Sequence, residues 1–153
     1  MNEKLLQYQL SENVLDPLTD PAVIAEMNRA WRESQAGDPL YRHEEGGYIL
    51  LGSNFSHRVE RWARGEHSQI VPSPLDANNC YNGETVVAVF HTHPNPPVDE
   101  AGQEWEQGPS ESDRRWHERR KLRGFVISRM LVYEIDVNAK ISVIGKRSEV
   151  LAS

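Results

Sequence analysis

The feature that most constrains this chain is a run of apolar and β-branched residues at 85–90 that leads directly into His-Thr-His-Pro at 91–94. Such a run predicts a buried strand. Side chains two positions apart on a strand share a face, so His91 and His93 should point to the same side. Pro94 has no N–H to donate to a neighbouring strand, and the strand should end there. Two imidazoles directed at one point form half of a metal site, whereas the alternative is a pair of polar side chains at a strand end.

Two further polar segments lie before and after the histidines. Glu44 and Glu45 stand just before two glycines and an apolar run at 48–52, which predicts a central strand. Residues 110–123 predict a helix, because Ser110 or Ser112 is a suitable N-cap and Glu111 and Asp113 suit the first turn. In chain order the three motifs are Glu-x-x-Gly, His-x-His-Pro and Ser-x-x-Asp.

These motifs, in this order, resemble those of the JAMM metalloproteases, also called the JAB or MPN-plus family, over about residues 40–145. The resemblance implies a single α/β domain of the JAB/MPN kind, in which a mixed, curved β-sheet is flanked by helices. It also implies a zinc peptidase or isopeptidase that acts on the C-terminal tail of ubiquitin or of a ubiquitin-like protein. Small stand-alone members in bacteria resemble processors of such tails, processors of sulfur-carrier proteins, or toxin-type peptidases.

The resemblance also implies a role for each motif residue. His91, His93 and Asp113 would bind Zn²⁺, and water would complete the tetrahedron that a catalytic zinc site keeps partly open. Glu44 would be the general base that takes a proton from the water. Ser110 would stabilise the negative charge that develops on the substrate oxygen.

Each of these roles has an alternative. Glu45 could be the base, although neighbouring residues entering a strand point to opposite faces and the motif favours Glu44. The Ser110 hydroxyl could serve only as an N-cap, since capping and catalysis compete for it. Asp113 could be only a favourable charge at a helix start. One turn further on the same face, His117 is a candidate ligand or a partner of the ligands.

The segment at 95–109 departs from the family pattern. Its fifteen residues exceed the usual distance between the second and third motifs, which we interpret as an insertion beside the site. Asp99 within it is a rival third ligand, and His43, next to the first motif, is interpreted as a surface residue. Trp105 is either an anchor for the insertion, which we favour, or an aromatic that faces the substrate.

The rest of the chain predicts helices and strands around these motifs. Asp20 and Pro21 read as N-cap and first residue of a helix over 21–35. Strands are predicted at 58–62, 68–71, 125–128, 131–135 and 140–144, with the last three as a meander. A glycine at 124 should end the helix that precedes them. Residues 1–19 form an N-terminal extension, in which Leu5, Leu6 and Leu10 could build a short helix, and 20–153 form the domain.

Composition excludes several classes of protein. A net charge of −6 argues against general nucleic-acid binding. No apolar run is long enough to span a bilayer, and the first residues lack the apolar core of a secretory signal. The single cysteine, Cys80, excludes a disulfide framework and a four-cysteine zinc site. The chain should therefore be cytoplasmic, or a secreted effector without a signal peptide.

Two other functions are compatible with the same sequence. The first is a catalytically silent interaction module of the JAB/MPN fold, against which the full set of motif residues speaks. The second is a metal-dependent hydrolase of a different amide, such as one of the cell wall or a small molecule. Zinc content separates the first from an enzyme, and a panel of amide substrates tests the second.

Overall fold

A computed structural model of the chain describes Glu3 and residues 16–152. Between residues 16 and 152 it contains the helices α1 (Pro21–Glu33), α2 (Glu111–Arg120) and α3 (Arg147–Val150). The strands are β1 (Gly46–Leu51), β2 (His57–Arg61), β3 (Cys80–Tyr81), β4 (Glu84–His93), β5 (Arg123–Ser128), β6 (Leu131–Ile135) and β7 (Ile141–Lys146). The predicted mixed α/β class is confirmed. The helix expected around Leu5, Leu6 and Leu10 lies outside the described residues.

The sheet is mixed and open, with the strand order β2-β1-β4-β5-β6-β7, and β3 pairs with β4 as a short hairpin. Strands β4 and β5 are parallel, whereas β1 pairs with β2 and with β4 in antiparallel fashion. Strands β5, β6 and β7 form the predicted antiparallel meander. Parallel neighbours need a connection that crosses one face of the sheet. That connection contains residues 94–122, including α2, and therefore brings α2 back beside the end of β4.

Both faces of the central strands are buried. On one face α1 contributes Val23 and Met27 to a core that includes Phe90 and Phe125. The other face carries a second cluster, in which Trp116 of α2 packs against a group of buried residues: Tyr48, Leu50, Trp62, Val86, Val89 and Leu122. Strand β4 is buried from Thr85 to Thr92 and so forms a rigid support for the histidines at its end.

The first helix begins as its sequence predicts. Asp20 is the N-cap, and its side chain accepts a hydrogen bond of 3.0 Å from the N–H of Ala22. Pro21 occupies the first helical position, where its missing N–H costs nothing. The helix ends at Glu33, two residues before the predicted end, and its buried stripe faces the sheet as expected.

Two predicted elements differ in the structure. The helix expected over 110–123 ends at Arg120, because Lys121 adopts a left-handed conformation with φ of 56°. Gly124 does not end the helix: it lies within β5, where a Cβ would come within 2.1 Å of the His117 ring. The strand expected at 68–71 is absent, and these residues are irregular and pair with no strand. The β-branched residues at its end favoured a strand and did not reveal that this segment borders a cleft.

No helix among the described residues combines the length and the apolar character that crossing a membrane requires.

Candidate metal centre

The register between β1 and β4 places the first motif beside the histidines. Gly46 pairs with His91, so Glu44 lies just beyond the point where the two strands meet. Gly46 must be small, since a Cβ there would lie 2.7 Å from the carbonyl oxygen of Phe90 and from the Trp62 ring. The backbone of Glu44 is fixed by two hydrogen bonds, from its N–H to the Glu66 carbonyl at 2.8 Å and from the Gly65 N–H to its own carbonyl at 2.9 Å.

Three side chains from two distant segments converge next to Glu44. The Nε2 atoms of His91 and His93 are 3.1 Å apart. The Oδ2 atom of Asp113, in the first turn of α2, lies 3.4 Å from each of them. The two imidazoles and one carboxylate oxygen therefore form a nearly equilateral triangle, and the two histidines share a strand face as predicted.

The size of this triangle fits a zinc ion. Zinc–nitrogen and zinc–oxygen bonds of about 2.0–2.1 Å at tetrahedral angles place neighbouring ligand atoms about 3.3–3.4 Å apart. The observed separations of 3.1, 3.4 and 3.4 Å lie close to that edge length. The donor set of two nitrogens and one carboxylate oxygen is also one that catalytic zinc sites use.

Glu44 borders this triangle from the side of β1. One of its carboxylate oxygens lies within 4.8 Å of ligand atoms of His91 and His93. Glu44 is only 6% exposed. Burial raises the pKa of its carboxyl group, and the two histidines partly oppose this increase. A carboxylate at this position could take part in metal binding or accept a proton beside the metal.

Glu45 faces away from the triangle. One of its oxygens accepts a hydrogen bond of 2.6 Å from Arg61, and the other lies 2.5 Å from the Nε2 of His43. His43 is therefore buried, contrary to its interpretation as a surface residue, and its second nitrogen lies 2.8 Å from the Tyr41 carbonyl oxygen. Of the two neighbouring glutamates, only Glu44 lies beside His91 and His93.

Ser110 and Asp113 form a reciprocal capping box at the start of α2. The Ser110 hydroxyl oxygen accepts the Asp113 N–H at 3.0 Å, and Asp113 Oδ2 accepts the Ser110 N–H at 2.8 Å. A hydroxyl group has one donor and two acceptor sites, and the cap uses an acceptor site. Capping therefore leaves the hydroxyl proton available, and the expected competition between capping and catalysis does not arise. Ser110 also lines the cleft above the triangle.

The charges in the triangle are coupled. Burial opposes the ionisation of Asp113, but the two histidines outweigh it and hold the pKa of its carboxyl group well below the usual range. Burial likewise opposes protonation of His91, and the nearby carboxylates of Asp113 and Glu44 raise its pKa. The carboxylate is thus kept ionised, which is the state that binds a metal.

The two other proposed ligands have different surroundings. His117 directs Nδ1 at the Leu122 carbonyl oxygen at 2.7 Å, and its ring packs over Gly124. Asp99 holds the turn of the insertion, where it accepts the N–H groups of Ala101 and Gln103 and the indole N–H of Trp105. Asp99 is therefore engaged within its own loop.

The insertion forms one wall of an open cleft of about 820 Å³ that contains the triangle. Trp105 is held by its hydrogen bond to Asp99 and by an edge-on contact with His67, with ring centroids 5.4 Å apart. It is thus an anchor for the loop, as favoured, and it also lines the cleft. The irregular segment 68–72 also lines the cleft.

One supporting group was missed from the sequence. Thr92, between the two histidines, is fully buried on the face opposite theirs. Its hydroxyl oxygen accepts the Glu45 N–H at 3.0 Å and lies 2.6 Å from the Ser34 hydroxyl, which in turn bonds to the Ala30 carbonyl at 2.9 Å. The Thr92 N–H donates to the Glu45 carbonyl at 2.8 Å. The alternation of side chains along a strand could have placed Thr92 on the α1 side. It could not have identified Ser34 as the partner of its hydroxyl.

Comparisons of the chain with models of known protein families, with curated proteins and with solved structures return no match. The geometry of the cleft and the three sequence motifs are accordingly the basis for any functional assignment.

Proposed function

We propose that this protein is a zinc-dependent hydrolase of the JAMM type, with a JAB/MPN-like fold, that cleaves a peptide or isopeptide bond. The observation that carries the proposal is the triangle of His91, His93 and Asp113, whose edges of 3.1–3.4 Å match a tetrahedral zinc shell. The position of Glu44 beside it, and of Ser110 at its rim, supports a catalytic rather than a structural centre.

Zinc bound by these three residues would supply Lewis acidity, which lowers the pKa of a water molecule and polarises a carbonyl group. Asp113 suits the third ligand position better than Glu44, because it is at the edge distance from both imidazoles. Glu44 is left free for proton transfer beside the metal.

The chain's own residues can perform the remaining steps. Glu44 accepts a proton from the attacking water as the water oxygen bonds to the substrate carbonyl carbon. The hydroxyl of Ser110 donates a hydrogen bond to the oxygen on which negative charge develops. When the carbon–nitrogen bond breaks, Glu44 returns the proton to the leaving amine nitrogen. The products are a carboxylic acid and an amine.

The resemblance to the JAMM family suggests the substrate. A ubiquitin-like protein that ends in a flexible tail, joined to a second protein or peptide, would present a single extended amide to the cleft. The substrate is then a protein, and the reaction frees its C-terminal tail.

Replacing Glu44 by Gln tests the proposal. The variant should bind zinc with the same stoichiometry and cleave a ubiquitin-like fusion about 10²–10⁴ times more slowly, the range that general acid–base groups contribute. Cleavage is followed by gel electrophoresis and mass spectrometry, and zinc by elemental analysis. Glu149→Gln, the same change on exposed α3, serves as the control and should keep full activity.

Two results would contradict the proposal. One is equal cleavage by the Glu44→Gln variant and the unaltered protein. The other is the absence of stoichiometric zinc from protein purified without chelators, which would favour an interaction module.

A further inference from the structure

Within the part of the chain that the structure describes, the cleft lining carries acidic side chains and three histidines, but no lysine or arginine. The chain has 17 lysine and arginine residues, yet none of the described residues that line the cleft is a lysine or an arginine. Four acidic residues do line it: Glu44, Asp113, Glu104 and Glu106. A zinc ion at the triangle would offset the charges of Glu44 and Asp113, which leaves the two glutamates of the insertion uncompensated.

Glu104 and Glu106 are well suited to meet a ligand. Both are exposed, and neither forms an ion pair or a side-chain hydrogen bond with a described residue. Trp105 lies between them, and its indole N–H is bonded to Asp99 at 2.9 Å, so the ring cannot reorient freely. Two free carboxylates beside a fixed aromatic ring form a surface that attracts ammonium and guanidinium groups by charge and by cation–π contact.

A second observation on the same wall also indicates a hydrogen-bond donor as ligand. Asn95 lines the cleft but is only 5% exposed. Its amide nitrogen donates to the His67 carbonyl at 3.0 Å. Its side-chain oxygen is buried and has no hydrogen-bond partner among the described residues. A buried acceptor without a partner is costly, and a donor on a ligand that reaches it would satisfy it.

We propose that this wall, residues 95 and 103–106, selects a peptide with a lysine or arginine side chain at the position facing it. That the selected peptide is also a substrate rests on the proposed hydrolase function. Binding of the peptide does not depend on that function. The cation would contact the carboxylates of Glu104 and Glu106 and the face of Trp105. An acidic residue at the same position would be repelled.

Peptide binding tests this selection without any need for turnover. Six fluorescein-labelled hexapeptides of glycine and alanine each carry one lysine, at a different position, and matched sets carry glutamine or glutamate instead. Fluorescence anisotropy measures their affinity for the zinc-loaded Glu44→Gln protein. At one position or more, lysine should bind about 5–10 times more tightly than glutamine, and this preference should shrink as salt rises.

The wall is then altered by a double substitution, Glu104→Gln with Glu106→Gln, which removes two charges from exposed positions. The lysine preference should fall to about twofold or less. The matched control is Glu118→Gln with Glu149→Gln, which makes the same change in net charge at exposed helix positions that do not line the cleft, and it should keep the preference. Circular dichroism checks that both double variants are folded.

The outcomes separate this inference from the hydrolase proposal. Lysine selection without cleavage by the unaltered protein supports the inference and contradicts the hydrolase. Cleavage without lysine selection supports the hydrolase and contradicts the inference. The inference is overturned if no peptide binds, if lysine and glutamine peptides bind equally, or if the Glu104 and Glu106 substitutions leave the preference unchanged.

Discussion

At the scale of single residues, His117 is a buried imidazole packed between a helix and a strand. It is 3% exposed, directs Nδ1 at the Leu122 carbonyl oxygen, and rests on the backbone of Gly124. Burial lowers the pKa of its imidazole from 6.5 to about 4. The neutral ring, with the Nδ1 proton donated to the carbonyl, is therefore the form that packs between α2 and β5.

This pKa predicts a pH-dependent stability. Because the folded pKa of His117 lies below the unfolded value, the unfolded chain binds the proton first as the pH falls. The contribution of neutral His117 to the free energy of unfolding is fully present above about pH 6.5. It is lost as the pH falls toward 4, and the loss is on the order of 3 kcal/mol. Urea unfolding between pH 7.5 and 4.5 should show the unaltered protein losing stability faster than His117→Gln, which cannot titrate. Parallel stability curves for the two proteins would contradict this prediction.

Sequence reasoning was most successful where a residue type has one dominant local use. Asp20 was predicted as one N-cap, and Ser110 or Ser112 as another, from their place before helical patterns. Asp20 and Ser110 are the residues that cap through their side chains. The same reasoning could not place His117 against Gly124. That contact depends on the packing of α2 over a strand that follows it, and a glycine after a helix is also the usual signal for its end.

At the scale of elements, Thr92 joins α1, β1 and β4. Its hydroxyl links Ser34 at the end of α1 to the Glu45 N–H, next to Glu44. The Ser34 hydroxyl donates to Ala30, the Thr92 hydroxyl can donate to Ser34, and the Glu45 N–H donates to Thr92. Every donor is used once, so the three elements are held in one arrangement. This arrangement sets the position of Glu44 relative to the histidines.

Thr92→Val keeps the shape of the side chain but removes the hydroxyl. It leaves the buried Glu45 N–H without its acceptor, and the free energy of unfolding should fall by about 1–3 kcal/mol. If the cleft is catalytic, kcat should fall more than KM changes, with zinc still bound. Chemical denaturation and steady-state kinetics measure the two effects. Thr92→Ser, which retains the hydroxyl, should recover most of the kcat, and an equal loss in both variants would exclude this positioning role.

The strands and helices differ in how far their sequences specified them. Strand β4 was predictable because a continuous apolar run needs burial on both faces, and the sheet provides it. The β-branched residues Ile70 and Val71 favour a strand at 68–71, but the neighbours of this segment in space are the cleft and the loop at 65–66. A strand needs a neighbouring strand to pair with as well as suitable residues, and the local sequence does not specify that neighbour.

At the scale of the whole molecule, three separate segments meet at the triangle and at Glu44. They are the entry to β1, the end of β4 and the start of α2. A ligand that binds only the folded arrangement stabilises the whole chain. The pairing of His-x-His with Asp113 was predicted from the resemblance of the motifs, against the rival Asp99. The distance between the three ligand atoms could not be predicted, since it depends on the crossover that returns α2 to β4.

Zinc should therefore raise the melting temperature of metal-free protein. At a zinc concentration about 1,000 times Kd the stabilisation is about 4 kcal/mol, which corresponds to roughly 8–16 °C for a chain of this size. Differential scanning calorimetry of protein treated with a chelator, with and without added zinc, measures the shift. Asp113→Asn should reduce it strongly, and Asp99→Asn, outside the triangle, should retain it. An equal shift for both variants would exclude Asp113 as a ligand.

The parallel pairing of β4 and β5 has a practical consequence. Parallel pairing requires a long connection from β4 to β5, but it sets only a minimum length for that connection. Each doubling of the length of a loop costs only about 0.6 kcal/mol. The segment 95–109 lies in this connection, and its ends are pinned at Pro94, whose carbonyl accepts from Arg129 at 3.0 Å, and at the Ser110 cap. Exchanging this segment for others of different length and charge would be a route to new recognition properties, because both anchor points, and the ligands next to them, stay where the sheet and helix hold them.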